Sequence, residues 1–264
     1  GLKKFGEWET LPFLPAPEEF HYRNRIQVHT RGTQHGFFAA GTRELVPVVK
    51  CWIAEEPLNQ KLSQLKAADG AKTEIAVNVR GEVLAIAGER DPESALFSQV
   101  NTAQNEVLKS RMLELISVEP DWVMDLYAGS GNLTAPLARK FPLAKLHAVE
   151  FSKKSAEIGA RNVPQAEWSA ADTGEGLAKI PVRKGRGVIV LDPPRTGVSA
   201  RVCEELIRHA PQQIIYVSCN PTTFARDVEK LVQHGDYRLE QVQGLDMFPQ
   251  TDHVELIASL RAAT

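Results

Sequence analysis

Three stretches of this chain combine reactive side chains with the residue types that make turns. In Tyr216-Val217-Ser218-Cys219-Asn220-Pro221-Thr222-Thr223 an apolar, β-branched run ends at a thiol. The composition of residues 213–218 is that of a buried strand. Asn220 is a helix-capping type, and Pro221 suits a first helical position. Behind them Phe224, Val228, Leu231 and Val232 recur at helical spacing until Gly235. Cys219 is therefore expected between a strand end and a helix N-terminus. The positive end of the helix dipole should lower its pKa and enrich the thiolate. An isolated cysteine is more often a buried packing residue, so the other stretches must support the chemistry.

Asp125-Leu126-Tyr127-Ala128-Gly129-Ser130-Gly131-Asn132 closes one apolar run and opens a helical one. Two glycines two apart let the backbone approach a ligand closely at such a turn. A dinucleotide site favours a third glycine three residues on, where Thr134 stands. About eighteen residues later Glu150 ends the next apolar run, where a carboxylate can hold ribose hydroxyls. Together they favour an adenosine-containing cofactor, and the missing glycine disfavours a nicotinamide dehydrogenase. Leu191-Asp192-Pro193-Pro194-Arg195-Thr196-Gly197 ends a further run. Its prolines make a rigid turn, and Asp192 falls at a sheet's carboxyl edge, where ligands bind. Methyltransferases that act on exocyclic amines usually carry an aromatic residue after such prolines. Arg195 argues against that reaction.

The elements that must position these residues alternate. Strands are expected at 122–127, 146–150, 188–192 and 213–218, with helices at 133–140, 153–162, 200–209 and 221–234. The pattern predicts a doubly wound parallel sheet. Residues 238–245 and 254–260 read as two strands without a helix between them, hence a closing antiparallel pair. A long helix is expected over 97–117. Upstream, strands at 22–30, 36–40 and 45–49, a helix at 55–67 and a hairpin of 73–79 with 82–87 make a small α+β unit. Residues 1–20 form an extended, proline-containing lead-in, and 88–94 an exit linker. The domain reading is thus 1–20, 21–95 and 96–264.

At 264 residues and 43% hydrophobic content the chain can bury a real core, while its net charge of -2 provides no global basic field for nucleic acid. Cys51, Cys203 and Cys219 are too few and too scattered for a disulfide framework or a zinc knuckle. No signal-peptide pattern or 18-residue apolar run is present, so a cytoplasmic protein without a membrane partner is expected.

Phe97-Ser98-Gln99-Val100-Asn101, the 125–132, 192–197 and 218–221 stretches, and 246–255 resemble, in order, the motifs of the RNA 5-methyluridine methyltransferase family. The match covers 97–264; Tyr22-Arg23-Asn24-Arg25 and Gly36-Phe37 resemble that family's central domain more loosely. The resemblance implies a Rossmann-like class I methyltransferase sheet, mostly parallel with a C-terminal antiparallel pair, beside a small α+β domain. It also implies S-adenosyl-L-methionine as cofactor and an unstacked uridine of tRNA or rRNA as substrate. It assigns Cys219 as nucleophile, Glu255 of His253-Val254-Glu255 as base, and Gln99, Tyr127, Asn132, Glu150, Asp172 and Asp192 as cofactor contacts.

Two departures from the family pattern stand out. Nothing before residue 21 is long enough for the RNA-binding barrel that members often carry. Only Cys51 resembles one of the four cysteines that hold an iron–sulfur cluster in many members, so no cluster is expected. A cytosine carbon-5 methyltransferase, which shares the thiol addition, is the alternative enzyme. A non-catalytic RNA-binding module that keeps the cofactor fold is the alternative from another class.

Overall fold

The computed structural model describes residues 7–78, 80–87 and 99–263. Its first elements are β1 (Glu9–Thr10), β2 (Arg25–Arg31), β3 (Gln34–Phe38), β4 (Leu45–Pro47), α1 (Glu56–Ser63), β5 (Lys72–Val77), β6 (Val83–Ala87) and α2 (Thr102–Leu115). Then follow β7 (Trp122–Leu126), α3 (Thr134–Lys140), β8 (Lys145–Glu150), α4 (Lys153–Asn162), β9 (Glu167–Ala170) and α5 (Thr173–Lys179). The chain ends with β10 (Gly187–Leu191), α6 (Ala200–His209), β11 (Gln213–Ser218), α7 (Pro221–His234), β12 (Tyr237–Leu245) and β13 (Glu255–Ala262). Two compact units result. The larger takes the chain up to Pro15, Glu106–Met247 and the chain from His253; the smaller takes Ala16–Asn105 and Phe248–Asp252.

The larger unit holds an eight-stranded sheet ordered β1-β12-β13-β11-β10-β7-β8-β9. β7 to β11 run parallel, whereas β13 is antiparallel to both neighbours, β11 and β12. This is the mostly parallel methyltransferase-type sheet with the antiparallel closing pair that the sequence predicts. Every residue of β7, β10 and β11 is buried, as near-continuous apolar runs in a sheet covered on both faces require. Within the lead-in, Glu9–Thr10 pairs with Gln241 and Val242 as an edge strand. The smaller unit is an antiparallel sheet ordered β4-β3-β2-β5-β6, packed on Ala54, Leu58 and Leu62.

Several expected boundaries shift for local reasons. The long helix begins at Thr102 rather than 97, because Asn101 Oδ1 accepts from Gln104 N, 3.0 Å away, as a helix cap; Phe97 and Ser98 lie outside the described residues. The proposed linker at 88–94, with the 95/96 boundary, falls there too. α1 stops at Ser63, short of 67. β9 and α5, which the sequence reading lacks, complete the alternation between α4 and β10.

Candidate active site

The carboxyl ends of the parallel strands carry the candidate residues in spatial order. Asp172 follows β9, Glu150 ends β8, Tyr127 follows β7, Asp192 follows β10 and Cys219 follows β11. Glu255 opens β13, and because that strand is antiparallel its start lies on the same sheet edge. Val217 pairs with Ile257 and Ser218 with Leu256, so Cys219 follows and Glu255 precedes the last pair of this ladder. Neighbouring strands lie about 4.8 Å apart; Cys219 is two strand spacings, about 10 Å, from the β7 turn. The sequence reading thus assembles in one line, except for Gln99. That residue belongs to the smaller unit, where its carbonyl accepts from Asn24 Nδ2 at 3.0 Å.

On the β7 side, the chain turns sharply after Leu126. Tyr127 adopts φ +63°, rare for a non-glycine residue. Gly129 and Gly131 follow at +56° and +99°. Glu150 braces the turn: one oxygen accepts from Gly129 N at 2.9 Å, the other from Ser152 N at 2.8 Å. A carboxylate oxygen offers two lone-pair sites, so capacity remains for ligand hydroxyls. A Cβ built on Gly129 meets nothing within 4 Å, so open space lies above the turn. Asp172 caps α5 through Gly174 N and Glu175 N and is otherwise exposed. Asn132, also exposed, follows Gly131. This ring of acceptors around open space fits a ribose-bearing cofactor. Burial pushes the Tyr127 phenol up to about 12, which keeps it a neutral hydrogen-bond donor. Beneath the turn, Asp125 is fully buried; Thr134 Oγ1 donates to one of its oxygens at 2.5 Å. Burial lifts its pKa to about 7.

On the β11 side the charges are concentrated. Glu255 is 3% exposed, and burial followed by the neighbouring Asp192 raises its pKa well above the usual carboxylate value. Burial carries Asp192 up to about 6. The depressed thiol expected for Cys219 is reversed. Burial raises it, the Glu255 and Asp192 carboxylates add to the rise, and Arg195 opposes them. The helix-terminus argument fails locally because Pro221 has no N–H and the Asn220 side chain already accepts from Thr222 N at 3.0 Å.

Asp227 holds the Asp192 loop in place, a role the sequence reading missed. From α7, one carboxylate oxygen accepts from Tyr216 Oη at 2.8 Å and Val198 N at 2.9 Å; the other pairs with Arg226 at 2.7 Å. Asn220 Nδ2 and Thr223 Oγ1 donate to the Arg195 carbonyl at 3.0 and 3.2 Å. The loop from β10 is thereby stitched to the helix that follows Cys219. The available signal was an acid among Phe224, Val228 and Leu231, on the face that the periodicity assigns to the core. Among the described residues no three of His, Cys, Asp or Glu are grouped to hold a metal ion, and no helix is long and apolar enough to cross a membrane.

A model of the tRNA (uracil-5-)-methyltransferase family matches residues 183–262, which contain Asp192, Cys219 and Glu255. An uncharacterized RNA methyltransferase of Bdellovibrio bacteriovorus is 36% identical over 280 residues, spanning 98% of this chain and 70% of that protein. The chain belongs to the tRNA (uracil-5-)-methyltransferase family. A family relative, the tRNA (uracil(54)-C(5))-methyltransferase of Pyrococcus abyssi, is 38% identical over 169 residues, covering 62% of this chain and 38% of that protein. A crystal structure of the P. abyssi tRNA (uracil-54, C5)-methyltransferase with S-adenosyl-L-homocysteine superposes with a TM-score of 0.76 at 25% identity. It covers 98% of this chain and 80% of that one. That likeness extends the family match across the full set of strands.

Proposed function

We propose that this chain is an S-adenosyl-L-methionine-dependent RNA methyltransferase that forms 5-methyluridine in tRNA or rRNA. Residues 96–264 carry the reaction and residues 21–95 contribute to RNA recognition. The observation that supports it best is a thiol, Cys219, within electrostatic reach of the buried Glu255 carboxylate and of Asp192, two strands from the β7 turn.

Carbon 5 of uracil is a poor nucleophile and needs covalent activation. The Cys219 thiolate adds to carbon 6, and the ring becomes an enolate with electron density on carbon 5. Bound S-adenosyl-L-methionine supplies an electrophilic methyl group for that carbon. Glu255 then accepts the carbon 5 proton, the double bond re-forms, and the Cys219 thiolate leaves. Desolvation makes Glu255 a stronger proton acceptor than an exposed carboxylate. A thiolate from a high-pKa thiol is correspondingly more nucleophilic once formed. Glu150, Asp172, Tyr127 and Asn132 hold the cofactor, Asp192 stands between cofactor and nucleophile, and the family resemblance adds Gln99 to the cofactor contacts. Arg195 positions a phosphate or carbonyl of the target. The uridine must leave its stack to reach the half-buried thiol.

Nucleoside mass spectrometry of total RNA incubated with the chain and cofactor tests the proposal. New 5-methyluridine supports it; 5-methylcytidine instead establishes the cytosine enzyme, and cofactor binding without any methylated RNA favours a non-catalytic module.

A further inference from the structure

The smaller unit has a largely apolar cleft with charged groups in its wall, and an exposed aromatic, that the proposed reaction does not use. The cleft, about 500 Å³, is lined by residues including Arg23, Arg25, Glu74, Phe37, Cys51 and Ile53. That volume suits one small ligand or a single nucleotide. Arg23 Nε is buried there without a hydrogen-bond partner among the described residues. Arg25 Nε lies 3.7 Å from Glu74 Oε1, which neutralises it. Arg23 is therefore the cation positioned to meet an anionic ligand.

Residues 21–23 run beside 52–54. His21 N donates to the Trp52 carbonyl at 2.9 Å, and Arg23 N to the Ile53 carbonyl at 2.8 Å. Trp52 thereby sits between Cys51 and Ile53, two residues of the cleft lining. Trp52 is 65% exposed, Lys50 Nζ lies 5.2 Å from its ring centroid, and the His21 ring centroid is 6.2 Å away. Glu56 already pairs with Lys50 at 2.9 Å, so the indole itself is the feature on offer: a large aromatic face left in water suits a flat, aromatic occupant.

We infer that this face of the smaller unit binds a single-stranded segment of the substrate RNA, with one base stacked on Trp52 and Arg23 meeting the adjoining phosphate. The inference rests on the proposed RNA substrate. A single strand exposes base faces for stacking, which a duplex keeps within its own stack. A guanidinium with an unused N–H forms a strong charge-assisted bond to phosphate oxygen. Glu74, in the same cleft wall, can accept from a base amino group and repels a phosphate placed too deep. The chain's net charge of -2 leaves few other phosphate contacts to supply affinity.

The test is fluorescence anisotropy of a labelled single-stranded oligouridine and of a matched RNA duplex, with the full chain. Trp52→Ala should weaken single-strand binding about tenfold, and Trp52→Phe should restore most of it. Arg23→Gln should weaken binding and reduce the salt slope by about one. Calorimetric affinity for S-adenosyl-L-homocysteine should stay unchanged in all three, showing that the larger unit remains folded; circular dichroism melting monitors the smaller one. Unchanged single-strand affinity in Trp52→Ala overturns the inference, as does an equal loss on the duplex. Should the unaltered chain methylate no RNA yet keep Trp52-dependent binding, the catalytic proposal fails and this site stands. Should Trp52→Ala form 5-methyluridine as fast as the unaltered chain at limiting RNA, this site fails alone.

Discussion

Cys219 directly follows, and Glu255 directly precedes, the Ser218–Leu256 pair that ends the β11–β13 ladder, near enough for the Glu255 carboxylate to raise the thiol's pKa. The arrangement brings together residues thirty-six positions apart in sequence (255 − 219 = 36) and gives each a separable duty. Cys219→Ala should abolish methylation and covalent RNA attachment. Glu255→Gln keeps the shape but cannot accept a proton, so addition and methyl transfer proceed and release stalls. Denaturing gels of that variant with RNA and cofactor should show a protein–RNA adduct, with turnover slowed about 10²–10⁴-fold. Normal turnover without adduct would transfer the role to Asp252.

Charge around the thiol predicts a pH response. Burial, Glu255 and Asp192 all raise the Cys219 pKa, so its thiolate fraction should rise through the alkaline range. Asp192→Asn removes one repelling charge and should move the profile of Cys219 alkylation to lower pH. Mass spectrometry of the Cys219 peptide after iodoacetamide treatment across pH measures the shift; an unmoved profile contradicts the assignment.

Asp125 predicts a second response, in stability. Its pKa rises from 3.8 to about 7 on folding, so the folded state favours the protonated carboxyl. The resulting stabilisation is complete below 3.8, declines as pH rises and is lost past about 7. Asp125→Asn keeps an acceptor for Thr134 without the titration. Urea denaturation at pH 5 and pH 8 should show the variant losing less stability, with a difference on the order of a few kcal/mol. Parallel losses would refute it.

The open space above Gly129 separates backbone strain from ligand binding. Alanine at this φ of +56° costs roughly 1–2 kcal/mol in strain, but its methyl group enters space free of protein. Gly129→Ala should fold, with a modestly lower melting temperature, and bind S-adenosyl-L-homocysteine far more weakly in calorimetry. Undiminished affinity would place the cofactor elsewhere.

Asp227 offers a test of the loop's support. Asp227→Ala leaves Tyr216 Oη, Val198 N and Arg226 without their shared acceptor. Leaving a buried donor such as the Tyr216 hydroxyl or Val198 N–H unsatisfied typically costs about 1–3 kcal/mol, readable as a reduced denaturation midpoint. Asp227→Asn should recover part of the loss, and a midpoint matching the unaltered chain would show the network to be dispensable.

Legibility followed the length and regularity of each segment. β7, β10 and β11 were readable because both of their faces are buried and their apolar runs are unbroken. β9 was not: of Glu167-Trp168-Ser169-Ala170 none is fully buried, so no pattern marks it. α5 hides behind Gly174 and Gly176, poor helix formers. Gly176 is required because a Cβ there falls 2.6 Å from Val149 Cγ1. The candidate site was legible as a set of strand-end residues, since each motif encodes its own turn. The reversed Cys219 shift was not, because Asp192 and Glu255 approach it only through strand pairing.

The connection between β12 and β13 leaves the larger unit at Phe248 and returns at His253. Within the smaller unit its Pro249 carbonyl accepts from Tyr22 Oη at 2.9 Å. The smaller unit is consequently a two-piece module, and a graft that swaps Ala16–Asn105 alone leaves behind the segment that Tyr22 grips. Chimaeras that exchange the smaller unit must transplant both pieces together, and the second splice falls only three residues before Glu255.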